Sequence, residues 1–199
     1  KEIYLNGFAG KKLSVKASFE KLEQKAKKEI TKEAFAYIAG GAGSEATMRA
    51  NRDAFDQWQI VPRMLKNVSE RDTTVELFGQ KLPSPILLDP IGVLEMVHPK
   101  ADVAVAKAAA RLGLPYIFSN QASKPMEACA QVMSESPRWF QLYWSKSNEL
   151  VQSFLHRAEQ CGCKALVVTL DTTLLGWRAR DLDVAYLPFL EGKGIAQYT

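Results

Sequence analysis

Apolar residues recur at every third or fourth position in the first part of the chain, which is the spacing of an amphipathic helix. Residues 18–30 predict one such helix, and Ser18 is placed to cap its amino end. A second helix is predicted from Thr31 to the glycine-rich break at 40–43, and a third over residues 44–58. Three helices therefore precede the first predicted strand.

Beyond residue 73 the pattern changes to short apolar runs that alternate with helical stretches. Residues 73–82 predict a hairpin that turns at Gly79-Gln80. Strands are then predicted over residues 85–88, 115–119, 139–143 and 165–170, and helices over residues 100–112, 125–132 and 147–160. The last strand is apolar except for one threonine, which is typical of a strand buried on both faces.

This alternation predicts the α/β class, with a parallel sheet and helices outside it. Within that class we predict the amino-terminal half of a TIM (β/α)8 barrel, because about four strand–helix units are present and a complete barrel typically needs about 250 residues. Residues 1–72 are predicted to be a helical segment that packs on the barrel. Residues 73–199 are predicted to form its first half and to end in a long loop. No strand is followed by a GxGxxG or Walker motif, which argues against the commonest nucleotide-binding folds.

Composition and charge exclude several classes of protein. Of the 199 residues, 47% are hydrophobic and 24% are charged, and the net charge of +4 is modest. Lysines cluster near the start without an interleaved aromatic platform, so nucleic-acid binding is only a weak alternative and no nucleic-acid partner is expected. No apolar run approaches the roughly 20 residues that span a bilayer, and no signal peptide is visible, so no membrane partner is expected. The three cysteines lack metal-site spacing, which predicts no metal and a cytoplasmic location.

Polar and small residues stand where the predicted strands end, and function gathers at the carboxyl ends of parallel strands. These residues are Pro90, Ile91, Gly92, Ser119, Asn120, Gln121, Gln141, Tyr143, Thr169 and Asp171. Backbone amides with serine, glutamine and threonine side chains suit a flat heterocycle that is rich in hydrogen-bond donors and acceptors. The alternative is that Ser119, Gln141 and Thr169 are satisfied polar groups inside a barrel.

Charged residues follow the last predicted strand. Asp171 leaves that strand, and Arg178 and Arg180 come shortly after it. These residues suit an anionic substrate, and a surface loop with solvated charges is the alternative interpretation. His98 at a helix entrance and His156 on a helix lie away from the strand ends, so neither is predicted to be a general base.

Five motifs, taken in order, resemble those of the FMN-dependent 2-hydroxy-acid oxidase family. They begin at Tyr37 (YIAGGA), Asn51 (NRDAF), Pro85 (PILLDPIG), Phe140 (FQLY) and Leu166 (LVVTLDT). Gly92, FSNQAS at 118–123, WFQLYWSK at 139–146 and DTTLLGWRARD at 171–181 most resemble the lactate 2-monooxygenase branch. Many oxidases of the family carry alanine where Gly92 stands.

The resemblance implies FMN as the cofactor and assigns roles to the residues at the strand ends. The backbone of residues 90–92 would lie against the flavin. Ser119, Gln141 and Thr169 would hydrogen-bond its isoalloxazine and ribityl portions.

The same resemblance assigns the substrate contacts. Tyr37 and Arg178 would bind the substrate carboxylate, Tyr143 would bind the hydroxyl or keto oxygen, and Asp171 would orient a catalytic histidine. The family's catalytic histidine, second substrate arginine, flavin-polarising lysine and FMN phosphate site have no counterpart here, so this chain alone is expected to be inactive. We expect the second half of the barrel to come from a separate chain or from sequence outside these 199 residues, and we expect a homo-oligomer.

The implied reaction is FMN-dependent oxidation of an L-2-hydroxy acid, with L-lactate as the best candidate and O2 as the acceptor. In the monooxygenase branch the resulting pyruvate is decarboxylated, giving acetate, CO2 and water. The alternatives are a plain oxidase that releases pyruvate and H2O2, and a non-catalytic half-barrel that docks with a partner. Another TIM-barrel oxidoreductase is a weaker alternative, because it does not explain Tyr37, Tyr143 and Arg178 together.

Overall fold

A computed structural model describes all 199 residues. The helices are α1 (Glu2–Phe8), α2 (Phe19–Glu29), α3 (Lys32–Ala39), α4 (Ala46–Asp53), α5 (Ala101–Leu112), α6 (Met126–Met133), α7 (Asn148–Gln160) and α8 (Ala179–Asp183). The strands are β1 (Val75–Leu77), β2 (Gln80–Leu82), β3 (Tyr116–Phe118), β4 (Arg138–Tyr143) and β5 (Leu166–Thr169). Short 3-10 turns occupy Ala54–Gln57, Leu94–Met96 and Pro188–Glu191. None of the helices combines the length and the apolar character needed to pass through a lipid bilayer.

Side-chain caps set the start of two amino-terminal helices. Ser18 Oγ accepts a hydrogen bond from the Lys21 amide at 3.4 Å, and Thr31 Oγ1 accepts one from the Ala34 amide at 3.2 Å. The predicted starts of α2 and α3 are confirmed at these caps. The third predicted helix is shorter than expected, because α4 ends at Asp53 and the chain continues as a 3-10 turn.

Three strands form a parallel sheet in the order β3-β4-β5. The register pairs Phe118 with Phe140 and Tyr143 with Thr169. One helix lies in each crossover, α6 between β3 and β4 and α7 between β4 and β5, as the alternation predicted. The carboxyl ends of the strands therefore meet at one edge of the sheet.

The predicted strand at 85–88 is reduced to a single parallel bridge. Leu88 pairs with Tyr116, and the Leu88 amide donates to the Pro115 carbonyl at 2.9 Å. Two physical features account for the difference. Pro85 has no N–H to contribute to a ladder, and no strand lies on the far side of this segment.

β5 differs from its prediction in burial. It was expected to be buried on both faces, yet Leu166 is 42% exposed and Val168 is 39% exposed. The reason is position, since β5 is the edge strand of the sheet. The next helix, α8, packs against α3 rather than against β5.

The core lies between the outer face of the sheet and helices α5, α6 and α7. Its buried members are Ala106, Ala109, Tyr116, Phe118, Met126, Cys129, Met133, Phe140, Leu142, Val151, Phe154, Ala158 and Cys161. The predicted apolar side of α7 is confirmed, because Val151, Phe154 and Ala158 all belong to this cluster. Burial of this apolar surface holds the helices on the sheet and leaves the opposite face for Trp139, Gln141 and Tyr143.

The β1–β2 hairpin turns one residue earlier than predicted. Phe78 and Gly79 form the turn, both with positive φ (50° and 71°), and Gln80 already belongs to β2. Trp139 Nε1 donates to Gln80 Oε1 at 3.2 Å, and the Trp139 and Phe78 rings meet edge-to-face at 5.4 Å. The hairpin thus lies at the amino-terminal end of β4, away from the strand exits.

The tail after Arg180, predicted to be a long loop, contains the end of α8 and a 3-10 turn, and then returns to the sheet. The buried side chain of Gln197 accepts from the Met126 amide at 3.2 Å and donates to the Ser119 carbonyl at 3.4 Å. The predicted long loop agrees with the few regular residues in this tail, but the prediction did not include these contacts, which join residues 71 positions apart for Met126 and Gln197. Local periodicity carries no information about such pairs.

Candidate active site

The structure brings the predicted cofactor residues together at the carboxyl ends of the strands. Gln141 Nε2 donates to Thr169 Oγ1 at 2.9 Å, and Gln141 Oε1 accepts from the Asn120 amide at 3.0 Å. Ser119 Oγ accepts from the Gln121 amide at 3.1 Å. Three neighbouring strand ends are therefore connected by polar groups on one face.

These hydrogen bonds leave donors unused. The hydroxyl hydrogens of Ser119 and Thr169, and the second amide hydrogen of Gln141, have no acceptor within the chain. Each of these three side chains does have one hydrogen-bond partner within the chain, as expected if they were satisfied polar groups inside a barrel. The remaining donors fit the carbonyl oxygens and ring nitrogens of a flavin.

The loop at Pro90, Ile91 and Gly92 lies against the exit of β3. The Val93 amide donates to the Gln121 carbonyl at 2.9 Å and ties the two loops together. A Cβ at position 92 would stand only 3.2 Å from the Gln121 Cβ. A glycine at this position permits the close approach of the two loops.

Tyr37 and Arg178 are in direct contact although 141 positions separate them. The guanidinium carbon of Arg178 lies 5.1 Å from the centre of the Tyr37 ring, and its Nη2 donates to the Tyr37 carbonyl. Nε of Arg178 donates to the buried carboxylate of Asp181. Nη1 of Arg178 has no hydrogen-bond partner in the chain, so one edge of the guanidinium is free for an anion.

Both candidate substrate tyrosines are partly buried. Burial raises the pKa of Tyr37, while the positive charge of Arg178 opposes that shift. Burial also raises the pKa of Tyr143, and the negative charge of Asp171 acts in the same direction. Both phenols are therefore neutral hydrogen-bond donors near pH 7.

Asp171 is exposed and makes no side-chain hydrogen bond within the chain. Its predicted partner is a histidine, and neither His98 nor His156 contacts it. The role of Asp171 stays a prediction.

From the sequence, Asn120 was predicted only as one of the residues at a strand end, and Asp181 and Tyr198 were given no role. Asn120 is fully buried between β3 and β4, Asp181 pairs with Arg178, and the Tyr198 hydroxyl accepts from the Gln121 side chain at 2.9 Å. A polar residue directly after the buried run YIFS was a usable signal for Asn120. Asp181 and Tyr198 gave no such signal, since both meet their partners through the folded tail.

An apolar cavity of about 330 Å³ adjoins the arginine. It is lined by Leu175, Gly176, Arg178, Asp181, Leu182, Ala185, Tyr186, Leu187 and Leu190. Neither Tyr37 nor Tyr143 lines this cavity. No group of three or more His, Cys, Asp or Glu side chains is arranged to hold a metal ion.

Comparisons with known proteins agree with this geometry. The family model described as FMN-dependent dehydrogenase matches residues 26–195. The FMN-dependent alpha-hydroxy acid dehydrogenase qulF of Penicillium citrinum is 43% identical over 173 residues, which are 87% of this chain and 43% of that protein. The L-lactate oxidase of Lysinibacillus sphaericus is 40% identical over 180 residues, which are 90% of this chain and 47% of that protein. A crystal structure of mandelate oxidase aligns with a TM-score of 0.81 at 34% identity and covers 87% of this chain and 50% of that chain.

The chain spans about half the length of the curated relatives it matches. The match of folds confirms an α/β chain equivalent to about half of a mandelate oxidase. The predicted resemblance to FMN-dependent 2-hydroxy-acid enzymes is confirmed at the level of the family, and the lactate 2-monooxygenase branch is not distinguished. The chain belongs to the FMN-dependent dehydrogenase family, whose cofactor is FMN.

Proposed function

We propose that this chain forms one wall of the active site of an enzyme that oxidises L-2-hydroxy acids with FMN. The observation that carries the proposal is the contact between Tyr37 and Arg178, which leaves Nη1 of the guanidinium without a partner in the chain. Gln141 and Thr169 lie on the same strand ends as Tyr143. The proposal places an anion site beside this set of flavin-compatible donors.

FMN would be held by groups that retain hydrogen-bonding capacity. The hydroxyls of Ser119 and Thr169 and the amide of Gln141 suit the polar edge of the isoalloxazine and the ribityl chain. The backbone of residues 90–92 would lie against the ring system, since Gly92 presents no side chain. When bound, FMN would accept the hydride equivalent, that is two electrons and one proton, that leaves the substrate.

The substrate carboxylate would bind the free edge of Arg178 and the Tyr37 hydroxyl. A guanidinium presents paired donors that match a carboxylate. The neutral Tyr143 phenol would donate to the substrate hydroxyl or keto oxygen and hold it in place during oxidation. Asp171, exposed beside Tyr143, would orient an imidazolium supplied by the second half of the barrel.

The second half of the barrel is part of this proposal. The outer face of β5 carries Leu166 and Val168 in an exposed state, and edge strands of this kind are normally covered. The relatives are about twice as long as this chain, which supports a second half that supplies the missing histidine. A homo-oligomer and a cytoplasmic location stay predictions from the sequence.

L-lactate is the proposed substrate, and decarboxylation to acetate, CO2 and water is the proposed outcome under air. The L-lactate oxidase relative supports the choice of acid, and Gly92 supports the monooxygenase outcome. The second candidate function is a plain oxidase that releases pyruvate and H2O2. The same relative supports it, because that protein is described as an L-lactate oxidase.

Flavin reduction tests the proposal directly. The complete barrel, meaning this chain together with its second half, is expected to bind FMN, and L-lactate is expected to bleach the flavin absorbance in the absence of oxygen. This chain alone should not do so, because it has no histidine at the strand exits. A complete barrel that binds FMN but is reduced by no 2-hydroxy acid would contradict the proposal and support the non-catalytic alternative.

Gly92→Ala is expected to change the product ratio. The added methyl would meet the Gln121 Cβ at 3.2 Å, so the loop beside the flavin must shift and the space for O2 and pyruvate must change. We expect the share of free pyruvate and H2O2 to rise at the expense of acetate, measured by chromatography of the products under air. Gly7→Ala is the matched control, since a Cβ there meets no atom within 4 Å. Wild-type protein that already releases pyruvate with equal H2O2 and no acetate would identify a plain oxidase.

A further inference from the structure

Asn120 connects three parts of the candidate site, although it has no assigned role. Its backbone amide donates to Gln141 Oε1 at 3.0 Å, and its Oδ1 accepts from the Tyr143 amide at 2.8 Å. Its Nδ2 donates to the Tyr198 hydroxyl at 3.3 Å. The residue is fully buried, its bond to Gln141 is buried as well, and its bonds to Tyr143 and Tyr198 are partly buried.

The bond to the Tyr143 amide extends the sheet beyond the end of β3. The β3–β4 ladder stops at the pair Phe118 and Phe140, and no backbone carbonyl of β3 lies opposite Tyr143. The side-chain carbonyl of Asn120 takes that place. An amide that loses its acceptor away from water is destabilising, so this bond holds the backbone from which the Tyr143 phenol projects.

The bond to Gln141 decides which end of that amide group is free. Because Gln141 Oε1 accepts from Asn120, its Nε2 points to Thr169 and keeps one unused hydrogen. If the Gln141 side-chain amide were reversed, its Nε2 would point at the Asn120 N–H, and two donors would face each other. The conformation of residue 120 therefore fixes Gln141 as a donor on the cofactor side.

We propose that Asn120 is a positioning residue that sets Tyr143 for the substrate and Gln141 for the flavin. The inference rests on the proposed function, because it uses the roles given there to Tyr143 and Gln141. Asn120 itself touches neither ligand, since both ends of its side chain are engaged within the chain. Its effect must pass through its two neighbours on β4.

A double-mutant cycle in the FMN-loaded complete barrel tests this route. Asn120→Leu keeps the size of the side chain and removes both of its hydrogen bonds. We expect kcat to fall about 10- to 100-fold, because small displacements of a reacting group are costly, while KM for L-lactate changes less than about threefold. In a Tyr143→Phe background the same substitution is expected to have little further effect on kcat, since the group it positions is already absent.

Two further variants separate the hydrogen bonds. Asn120→Asp keeps an acceptor for the Tyr143 amide and is expected to recover most of the lost kcat. Tyr198→Phe removes the partner that Asn120 Nδ2 shares with the Gln121 side chain, keeps the bond to the Tyr143 amide, and is expected to leave kcat within about threefold of wild type. Additive effects of Asn120→Leu and Tyr143→Phe on kcat would show that Asn120 is a merely structural residue. The same conclusion would follow if Asn120→Asp recovered none of the lost kcat and Tyr198→Phe also lowered kcat.

The visible spectrum of bound FMN gives a readout that does not depend on turnover. Asn120→Leu keeps the backbone N–H that holds Gln141 Oε1 but removes the acceptor of the Tyr143 amide, so the end of β4 that carries both side chains is expected to move. We therefore expect the flavin bands to shift and FMN binding to weaken. Wild-type protein that binds FMN but oxidises no 2-hydroxy acid would reject the proposed function, and the flavin spectrum would still decide the role of Asn120. A spectrum and a dissociation constant identical to those of wild type would overturn the inference.

Discussion

Arg178→Met should lower kcat/KM for L-lactate by about 100-fold in the complete barrel, mainly through a higher KM. Charge-assisted hydrogen bonds are worth about 1.5–3 kcal/mol, and 1.4 kcal/mol corresponds to a factor of about 10. The guanidinium would hold the carboxylate in the ground state and in the transition state alike, and loss of such uniform binding raises KM. Steady-state kinetics with L-lactate provide the measurement.

Arg180→Met is the matched control for this prediction. Arg180 lies two positions away and pairs with Glu45 at 2.6 Å in an exposed ion pair, which contributes little. Its removal is expected to leave kcat/KM within about threefold of wild type. Arg178→Lys should recover part of the loss, because it keeps the charge but not the paired geometry. An unchanged KM in Arg178→Met, with wild-type thermal stability, would remove Arg178 from the substrate site.

Phe154→Ala should destabilise the protein by about 3–5 kcal/mol, which is the usual cost of truncating a buried phenylalanine. Phe154 is 1% exposed and lies against Phe140 at 6.2 Å and Tyr198 at 5.2 Å between ring centres. The cavity would open where α7, β4 and the returning tail meet. Urea denaturation of the purified chain, followed by circular dichroism, measures the loss.

Phe8→Ala provides the comparison, because Phe8 is 97% exposed in this chain. Its truncation is expected to change the free energy of unfolding by less than about 0.5 kcal/mol. Equal losses in the two variants would mean that the cluster around Phe154 is not the core of the folded chain.

The helices and their ends followed closely from local sequence. The hydroxyls of Ser18 and Thr31 cap α2 and α3 where expected, and Gly113 ends α5 with a φ of 65°. Such features depend on hydrogen bonds between residues three or four positions apart, so a linear pattern is enough to predict them.

The burial of the segments at the two edges of the parallel sheet could not be predicted in the same way. The apolar run of β5 suggested a strand covered on both sides, but its exposure is decided by whether a helix and a further strand pack on it. Likewise, the segment at 85–88 has strand-like residues but only one neighbour to pair with. Composition describes what a segment can bury, and the neighbours decide what it does bury.

The sequence alone determined the α/β alternation, the residues at the strand ends and the resemblance to a flavin-dependent family. The tertiary structure alone decided that Tyr37 meets Arg178, that Asp181 pairs with that arginine, and that Asn120 joins Gln141 to Tyr143. The physical reason is the range of the interactions. Periodicity and capping act within one or two turns of chain, whereas these contacts form only after hydrophobic burial has brought distant segments together.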